Sequence, residues 1–330
     1  MNYRRFGRTG WNVSEIGYGM WGLAGWTGSE EAETMQALHR AVELGCNFFD
    51  TAWAYGDGKS EQILAKILKE HKGDSTGGPD QHLYVATKIP PKNRRWPSTR
   101  TFTLDDCYPP EYIEEYIEKS LVNLGVETID LMQLHTWEDR WLNDERLPRA
   151  IEQMKKSGKV RAFGPSMNRW EPANGLRAVL EGYADAVQVI YNIFDQNPED
   201  ALFPICRMKD TAVIARVPFD EGTLTGTLTV DSKWPAGDWR NTYFVAENLK
   251  SSVAHAEALR SLLPAGNTMA EMALRFILNN PDVSTTIPGM RKMKNVEANC
   301  KASNAGRLPP DLHSKLRAHR WDRNPTSWSQ

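Results

Sequence analysis

The sequence lacks several features that would assign it to a membrane or nucleic-acid class. Its 330 residues contain no run of about 18 apolar residues, so we expect no transmembrane helix. The first residues, MNYRRFGRTG, are polar and basic, which does not resemble a secretory signal peptide. The formal net charge of −2 offers no bulk attraction to polyanions. We therefore expect neither nucleic acid nor a membrane as a partner.

Cysteine is scarce, and its spacing is uninformative. The four cysteines, Cys46, Cys107, Cys206 and Cys300, are far apart and form no C-x-x-C pair. This distribution predicts no metal site and favours a reduced, cytoplasmic protein. The remaining composition, 40% hydrophobic and 25% charged, is that of an ordinary globular protein.

Short apolar segments alternate with amphipathic helical patterns along the chain. Alternation of this kind predicts parallel strands joined by helical crossovers. Eight such units fit a closed (β/α)8 TIM barrel forming a single domain over residues 1–330. The predicted strands are residues 13–18, 46–49, 83–88, 129–134, 160–163, 186–190, 212–215 and 284–287.

Four further segments lie outside the regular units. The connections after the third and seventh strands are longer than ordinary crossover loops, and both follow strand C-termini, where such barrels place their sites. The N-terminal YRRFGRTGWNVS predicts a short hairpin closing the bottom of the barrel, with a turn at Thr9-Gly10. Residues 304–330 form a C-terminal extension that we expect to pack near the barrel mouth.

Two motifs suggest other nucleotide-binding folds. GYGMWG, residues 17–22, matches G-x-G-x-x-G, and Asp50 ends the next strand, as in a doubly wound dinucleotide-binding sheet. However, Trp21 stands where close packing is needed, and the helical pattern starts only near Ser29. Tyr55 and Lys59 have the Y-x-x-x-K spacing of short-chain dehydrogenases, but the two intervening glycines predict a turn. We favour the barrel over both.

Four polar residues stand at the ends of neighbouring predicted strands. Asp50 ends the second strand, Tyr55 lies in the loop after it, Lys88 ends the third, and His135 follows the fourth. Successive parallel strands are neighbours in a barrel, so these side chains should meet in one sector of its mouth. Each alone has a structural explanation: a turn cap, a snorkelling lysine or a loop histidine. The four together favour a functional site.

The residue types suggest proton transfer to oxygen. A free tyrosine has a pKa of about 10, and a nearby ammonium favours its phenolate. A carboxylate would hold that ammonium in place, and a neutral histidine could donate to a carbonyl. Such a set suits the protonation of an oxygen while hydride reaches its carbon. It offers no obvious nucleophile, so hydrolysis is not favoured.

The sequence resembles the aldo-keto reductases, NAD(P)H-dependent (β/α)8 reductases of aldehydes and ketones, along nearly its whole length. FFDTAWAYG and DLMQLH carry the resemblance most specifically, and VATK, DAVQVIYN, GTLTG and IPGMR follow in the family's order. The resemblance implies that Tyr55 is the general acid and that Lys88 lowers its pKa. It also implies that Asp50 pairs with Lys88 and that His135 orients the carbonyl.

The same resemblance implies cofactor contacts around the mouth. Gln188 matches a carboxamide-binding glutamine, and Asn299 matches an asparagine that contacts adenine. The other matching positions, near the nicotinamide, the pyrophosphate loop or the strand ends, are Gly19, Met20, Ser166, Asn168, Arg216, Leu224 and Gly226.

Two positions depart from the family pattern. Met167 separates Ser166 from Asn168, where the family usually has Ser directly followed by Asn. Arg216 occupies a position where many members have an aromatic ring stacked on nicotinamide. A guanidinium can also stack on a ring, so we expect Arg216 to stack on the nicotinamide in place of the aromatic residue.

The segment GMRKMKN, residues 289–295, bears on cofactor choice. It places Gly289, Arg291, Lys292 and Lys294 where the eighth strand meets its helix. A helix N-terminus with cations can bind a 2′-phosphate, although a solvated basic helix face is an alternative. We predict that NADPH is preferred over NADH, with Arg291 as the main contact.

Tryptophans that follow strand ends are candidates for the substrate pocket. We expect Trp21, Trp53 and Trp137 to line it, with structural packing as the alternative for each. The sequence thus predicts an NADPH-dependent reductase of a small-molecule aldehyde or ketone. Two alternatives remain: an NADPH-binding regulatory subunit like the potassium-channel β subunits, and a Schiff-base aldolase using Lys88 as nucleophile.

Overall fold

The computed structural model describes residues 1–23, 30–71 and 82–329. An N-terminal hairpin, β1 (Tyr3–Phe6) and β2 (Trp11–Ser14), precedes eight parallel strands within this described part. The parallel strands are β3 (Tyr18–Gly19), β4 (Phe48–Asp50), β5 (Tyr84–Ile89), β6 (Ile129–Leu134), β7 (Val160–Pro165), β8 (Ala186–Ile190), β9 (Ala212–Arg216) and β10 (Thr285–Thr286).

The parallel strands form a closed ring. Regular pairing gives the orders β3-β4-β5-β6-β7 and β8-β9-β10. A bridge between Ser166 and Gln188 joins β7 to β8, and bridges from Ile16 to Thr286 and from Gly19 to Gly289 join the first strand to the last. Closure confirms the predicted barrel. The doubly wound alternative is wrong, because strand order follows chain order without reversal.

The predicted first strand, residues 13–18, combines two different elements. Its beginning belongs to hairpin strand β2, whereas the first barrel strand is the short β3 that follows a bend. All of these positions are buried, including the polar Ser14 and Glu15, so burial does not separate the two elements. The start of the first helix predicted near Ser29 lies outside the described residues.

The hairpin closes the N-terminal end of the barrel. Phe6 and Val13 are fully buried among inward-facing side chains that include Phe48 and Tyr84. A 3-10 turn, Gly7–Thr9, joins the two strands. Gly7 has φ of +50° and an added Cβ would lie 2.5 Å from the Ala212 backbone nitrogen, so this close approach requires glycine.

Helices surround the ring and fill most crossovers. The described helices are α1 (Glu31–Glu43), α2 (Lys59–His71), α3 (Leu104–Cys107), α4 (Pro110–Leu124), α5 (Arg146–Lys156), α6 (Leu176–Leu180), α7 (Leu202–Lys209), α8 (Arg240–Tyr243), α9 (Ala246–Leu259), α10 (Met269–Asn279), α11 (Met293–Asn304) and α12 (Pro310–Arg317). In the described residues, none of them is both long and apolar enough to cross a bilayer.

Helix α4 illustrates how local sequence sets these bounds. Proline at its first position is compatible with a helix start, because the missing N–H has no partner there. Gly125 ends it in the left-handed region with φ of 62°. Ile113, Ile117 and Leu124 are buried on one face, which packs toward the barrel.

Side-chain alternation along the strands determines what reaches the mouth. On β9, Ala212 and Ile214 point into the barrel interior, whereas Val213 and Ala215 contact the helical layer. Arg216, two residues beyond Ile214, therefore continues the inward face at the C-terminal end. Asp50 lies two residues beyond the inward-facing Phe48, and Lys88 lies two residues beyond the inward-facing Ala86, so both side chains also point inward.

The two long connections follow strand C-termini, and the tail starts at the opposite end, where Asn304 accepts from the N-terminal amine of Met1, and reaches the loop after β9 only at Arg323 and Trp328. Helix α3 belongs to the connection after β5, and α8 and α9 belong to the connection after β9. The second connection has its own apolar cluster, built on Tyr243, Phe244 and Leu249, to which Trp328 of the tail contributes.

Candidate active site

The four predicted catalytic residues lie on adjacent parts of the barrel mouth. Strands β4 and β5 pair in register from Phe48↔Tyr84 to Asp50↔Ala86, and β5 and β6 pair through Lys88↔Gln133. The backbone N–H of His135 donates to Ile89 O at 3.0 Å and so extends the ladder beyond β6. Pairing at the strand ends thus brings their side chains together.

Lys88 is the centre of the group. Its Nζ donates to Asp50 Oδ1 at 2.6 Å, to the Thr51 carbonyl at 2.7 Å and to Tyr55 Oη at 3.5 Å. The side chain is completely buried. Three acceptors match the three protons of an ammonium, which leaves no lone pair for nucleophilic attack. This arrangement argues against the aldolase alternative.

The second oxygen of Asp50 is also occupied. Gln188 Nε2 donates to Asp50 Oδ2 at 2.7 Å, and Gln133 Nε2 lies 3.4 Å from the same oxygen. Gln188 was predicted from the resemblance to bind a carboxamide. In the structure its amide nitrogen fixes the carboxylate that holds Lys88, and a cofactor contact by Gln188 stays a prediction.

Tyr55 is placed as a proton donor. Its ring lies edge-on to the His135 ring, with the centroids 5.7 Å apart. Burial raises the pKa of Tyr55; the charge of Lys88 lowers it, and that of Asp50 raises it. The lysine thus acts as the sequence suggests, but burial has the larger effect on this pKa. Tyr55 is therefore protonated at neutral pH, which is the form that a general acid needs.

His135 is neutral at the same pH. Burial lowers its pKa well below 6.5, and the nearby cations Lys88 and Arg216 lower it further. Its Nδ1 is buried and has no hydrogen-bond partner among the described residues. A neutral imidazole with one ring nitrogen unused can donate to or accept from a ligand.

Trp96, which like the three tryptophans predicted to line the pocket follows a strand end, contacts this histidine. Its ring lies edge-on to the His135 ring, with the centroids 5.7 Å apart, and its Nε1 is buried without a partner in the described part of the chain. The sequence feature that points to Trp96 as a pocket residue is its place in the long connection after the third predicted strand.

The tryptophans predicted to line the pocket have different environments. Trp21 is 40% exposed and edge-on to Trp239. Trp53 is half-buried beside the Arg94 guanidinium. Trp137 is fully buried, packs on Phe163, and donates to Asp139 from Nε1. The prediction for Trp137 is not supported, because no part of its ring is left to face a ligand.

The glycine-rich segment lies where the first and last strands meet. Gly19 N donates to Pro288 O at 3.0 Å, and Met20 N donates to Asp50 O at 2.9 Å. Gly289 bridges to Gly19, is exposed, and has open space where a Cβ would stand. Ser166 is buried at the end of β7, and its N–H donates to Leu134 O at 2.9 Å.

Asn168 has a structural environment. Its Nδ2 lies within hydrogen-bond distance of the Trp137 carbonyl and of the Glu138 and Glu171 carboxylates, at 3.0 to 3.1 Å. Its Oδ1 accepts from the Ser98 N–H at 3.3 Å. The departure at Met167 is accompanied by these loop contacts, so a cofactor contact by Asn168 stays a prediction.

The loop after β9 begins with a 3-10 segment, Asp220–Thr225. Leu224 is fully buried within it, and Gly226 ends it with φ of +70°. Asp220 and Glu221 also have positive φ, which is unusual for residues with side chains.

Two ion-pair groups hold this loop, and sequence reasoning missed both. Arg169, after β7, pairs with Glu221. Arg323, in the C-terminal tail, donates to both Asp195 and Asp220, and all three side chains are almost completely buried. Pairs so distant in sequence leave no local pattern.

Arg291 and Asn299 lie at the last crossover. Arg291 precedes α11, and its Cδ lies 3.9 Å from where a Cβ of Gly22 would stand. Its charge contributes to lowering the pKa of Asp238. Asn299 is buried on α11. Lys292 and Lys294 are exposed at the start of that helix.

Relatives share most of the chain's length. It is 29% identical to aldo-keto reductase YhdN of Bacillus subtilis over 90% of this chain and 87% of that one. The NADH-specific methylglyoxal reductase of Escherichia coli is 28% identical, covering 90% and 92% of the two chains. A putative voltage-gated potassium channel subunit beta of Schizosaccharomyces pombe is 28% identical, covering 95% and 92%.

The fold also matches solved structures. The holo form of aldo-keto reductase AKR11C1 from Bacillus halodurans superposes with a TM-score of 0.74 at 24% identity, covering 100% of both chains. The sequence profile of the Aldo/keto reductase family matches residues 15–320, nearly the entire chain. The chain therefore belongs to the aldo/keto reductase family.

Proposed function

We propose that this oxidoreductase uses NADPH to reduce an aldehyde or ketone to an alcohol, with Tyr55 as the proton donor. One observation carries the proposal: Lys88 Nζ contacts both Asp50 and Tyr55 in a buried site. A buried ammonium near a phenol prepares it to lose a proton at the moment an oxygen nearby becomes basic.

The chain's own residues have separate tasks in this mechanism. A bound nicotinamide would supply the hydride. Tyr55 gives its proton to the carbonyl oxygen, and Lys88 stabilises the phenolate that remains. Asp50 keeps the ammonium fixed, and neutral His135 donates a hydrogen bond that orients the carbonyl. Burial keeps Tyr55 protonated until the substrate oxygen accumulates charge.

The residues at the mouth fit a polar dinucleotide. Arg216 Nε and Thr223 Oγ1 are buried polar atoms with no hydrogen-bond partner in the described residues. We expect Gly19, Met20, Ser166, Gln188, Leu224, Gly226, Gly289 and Asn299 to contact the cofactor, with Arg216 beside its nicotinamide. We propose that Arg291 contacts a 2′-phosphate, which is the basis for preferring NADPH over NADH.

A regulatory subunit is the second candidate. The Schizosaccharomyces pombe relative, named as a potassium channel subunit, favours it. The intact contacts between Asp50, Lys88 and Tyr55 favour catalysis, because a binding subunit would not need a buried ammonium on a phenol.

The test is NADPH oxidation with sugars, aryl aldehydes and α-dicarbonyls as substrates. We expect turnover with at least one class, a loss of about 10²-fold or more in Tyr55→Phe, and unchanged cofactor affinity. Tyr183→Phe, which alters a phenol just before β8 at the other end of the barrel, is the matched control. Tight NADPH binding without turnover on any substrate would instead support the subunit.

A further inference from the structure

Arg216 is a half-buried cation without an ion pair in the described part of the chain. Its Nη2 donates to the Met167 carbonyl at 3.0 Å, and its Nε is buried and unpartnered there. Burial lowers the pKa of Arg216 to about 10, so it still carries its charge at neutral pH. Withdrawing a charge from water without a counter-ion is costly.

The carboxylates within reach of Arg216 serve other cations. Asp50 is bound to Lys88 at 2.6 Å. Glu221 is bound to Arg169, which itself lies close enough to lower the pKa of Arg216. Lys88 and Arg169 thus each have a carboxylate partner, whereas Arg216 has none in the described residues.

The charge of Arg216 acts on the side chains of His135 and Tyr55, which would contact the reacting carbonyl. It contributes to the lowered pKa of His135, and it opposes the rise in the pKa of Tyr55. If Tyr55 protonates the carbonyl that receives hydride, the nicotinamide must lie within a few ångströms of the same place. This step rests on the proposed function, but it needs no particular orientation of the ring.

Reduced and oxidised nicotinamide cofactors differ by one positive charge on the ring, and their phosphates are identical. A comparison of the two affinities therefore isolates the electrostatic environment of the ring. A fixed cation nearby disfavours the oxidised ring and leaves the neutral reduced ring almost unaffected.

We propose that Arg216 selects the redox state of the cofactor: its charge, which has no salt-bridge partner in the described residues, makes the protein bind the reduced dinucleotide more tightly than the oxidised one. The equilibrium between carbonyl and alcohol is unchanged. What changes is which cofactor form occupies the mouth, so the reduced form enters readily and the oxidised form leaves readily. The protein is thereby biased toward working as a reductase.

The experiment measures dissociation constants of NADPH and NADP⁺ by titration calorimetry for the full-length protein and its variants. For Arg216→Gln we expect the ratio Kd(NADP⁺)/Kd(NADPH) to fall by about tenfold or more, from the Coulomb energy of one charge at close range. Arg216→Lys keeps the charge and should keep most of the ratio.

A second variant changes the charge in the opposite direction. Glu221→Gln removes the carboxylate that neutralises Arg169, so the ratio should rise, and this holds even if Arg216→Gln does not fold. Arg320→Ala, an exposed tail arginine, should leave the ratio unchanged. An unchanged ratio in Arg216→Gln, an equal fall in Arg216→Lys, or a fall in Glu221→Gln would overturn the inference. If the unaltered protein bound neither dinucleotide, the proposed function itself would fail.

Discussion

The side-chain amide of Gln188 donates to Asp50 Oδ2 over 2.7 Å and so links the sixth barrel strand to the second through the interior. Both side chains are almost fully buried. The position of Lys88, which Asp50 holds, therefore depends on a glutamine 100 residues further along the chain. This contact suggests a first test.

Gln188→Met should remove a hydrogen bond to a buried carboxylate at nearly constant volume. We expect a loss of about 1–3 kcal/mol in the free energy of unfolding, measured by urea denaturation. Gln133→Met is the matched control, because Gln133 lies 3.4 Å from the same oxygen and its own Oε1 is buried without a partner in the described residues. We expect Gln133→Met to lose less stability than Gln188→Met, and equal losses in the two variants would contradict this expectation.

Lys88→Met should separate stability from chemistry. It leaves Asp50 buried without its cation, which should cost about 3–5 kcal/mol in unfolding free energy and abolish carbonyl reduction. In the double variant with Asp50→Asn, the uncompensated charge is gone, so much of the stability should return while activity stays absent. Recovery of activity in the double variant would argue against the role of Lys88.

His135 should make stability depend on pH. Its folded-state pKa lies well below 6.5, so below pH 6.5 the unfolded chain binds a proton that the folded protein does not. Stability should therefore fall as pH decreases from about 6.5, by up to about 1.4 kcal/mol per pH unit from this group. The measurement is urea unfolding from pH 5 to 8 for the unaltered protein and for His135→Asn. The difference between their free energies of unfolding should show this slope. If the free energies of unfolding of the two proteins had the same pH dependence, His135 would not be buried and neutral in the folded state.

Arg323 should hold the tail against the loop after β9. Arg323→Ala leaves Asp195 and Asp220 buried without their cation, and we expect a loss of about 3–5 kcal/mol together with faster proteolysis of the tail. Arg320→Ala is the control, since its pairs with Asp200 and Asp322 are exposed and should be worth at most about 1 kcal/mol. Similar effects of the two changes would be evidence against a buried clamp.

Arg291→Ala should reduce the preference for NADPH over NADH. Loss of a phosphate contact should raise the KM for NADPH by about tenfold or more and leave the KM for NADH nearly constant. Lys294→Ala, on the exposed start of α11, should have a smaller effect. An unchanged preference in Arg291→Ala would show that the 2′-phosphate assignment is wrong.

The sequence predicted strands well where they are buried on both faces. Residues 129–134 and 186–190 have the same bounds in the structure, because a continuous apolar run between helical patterns has few alternatives. The first strand was misplaced, since the hairpin and the barrel strand are both buried and only the bend between them separates them.

The sequence by itself determined the barrel and the four polar residues at its mouth, because strand periodicity and chain order decide which strand ends are neighbours. Only the tertiary structure decided that Trp137 belongs to the core, that Gln188 binds Asp50, and that burial outweighs Lys88 in setting the pKa of Tyr55. Burial and long-range contacts depend on how distant segments pack together. No local pattern of residues encodes them.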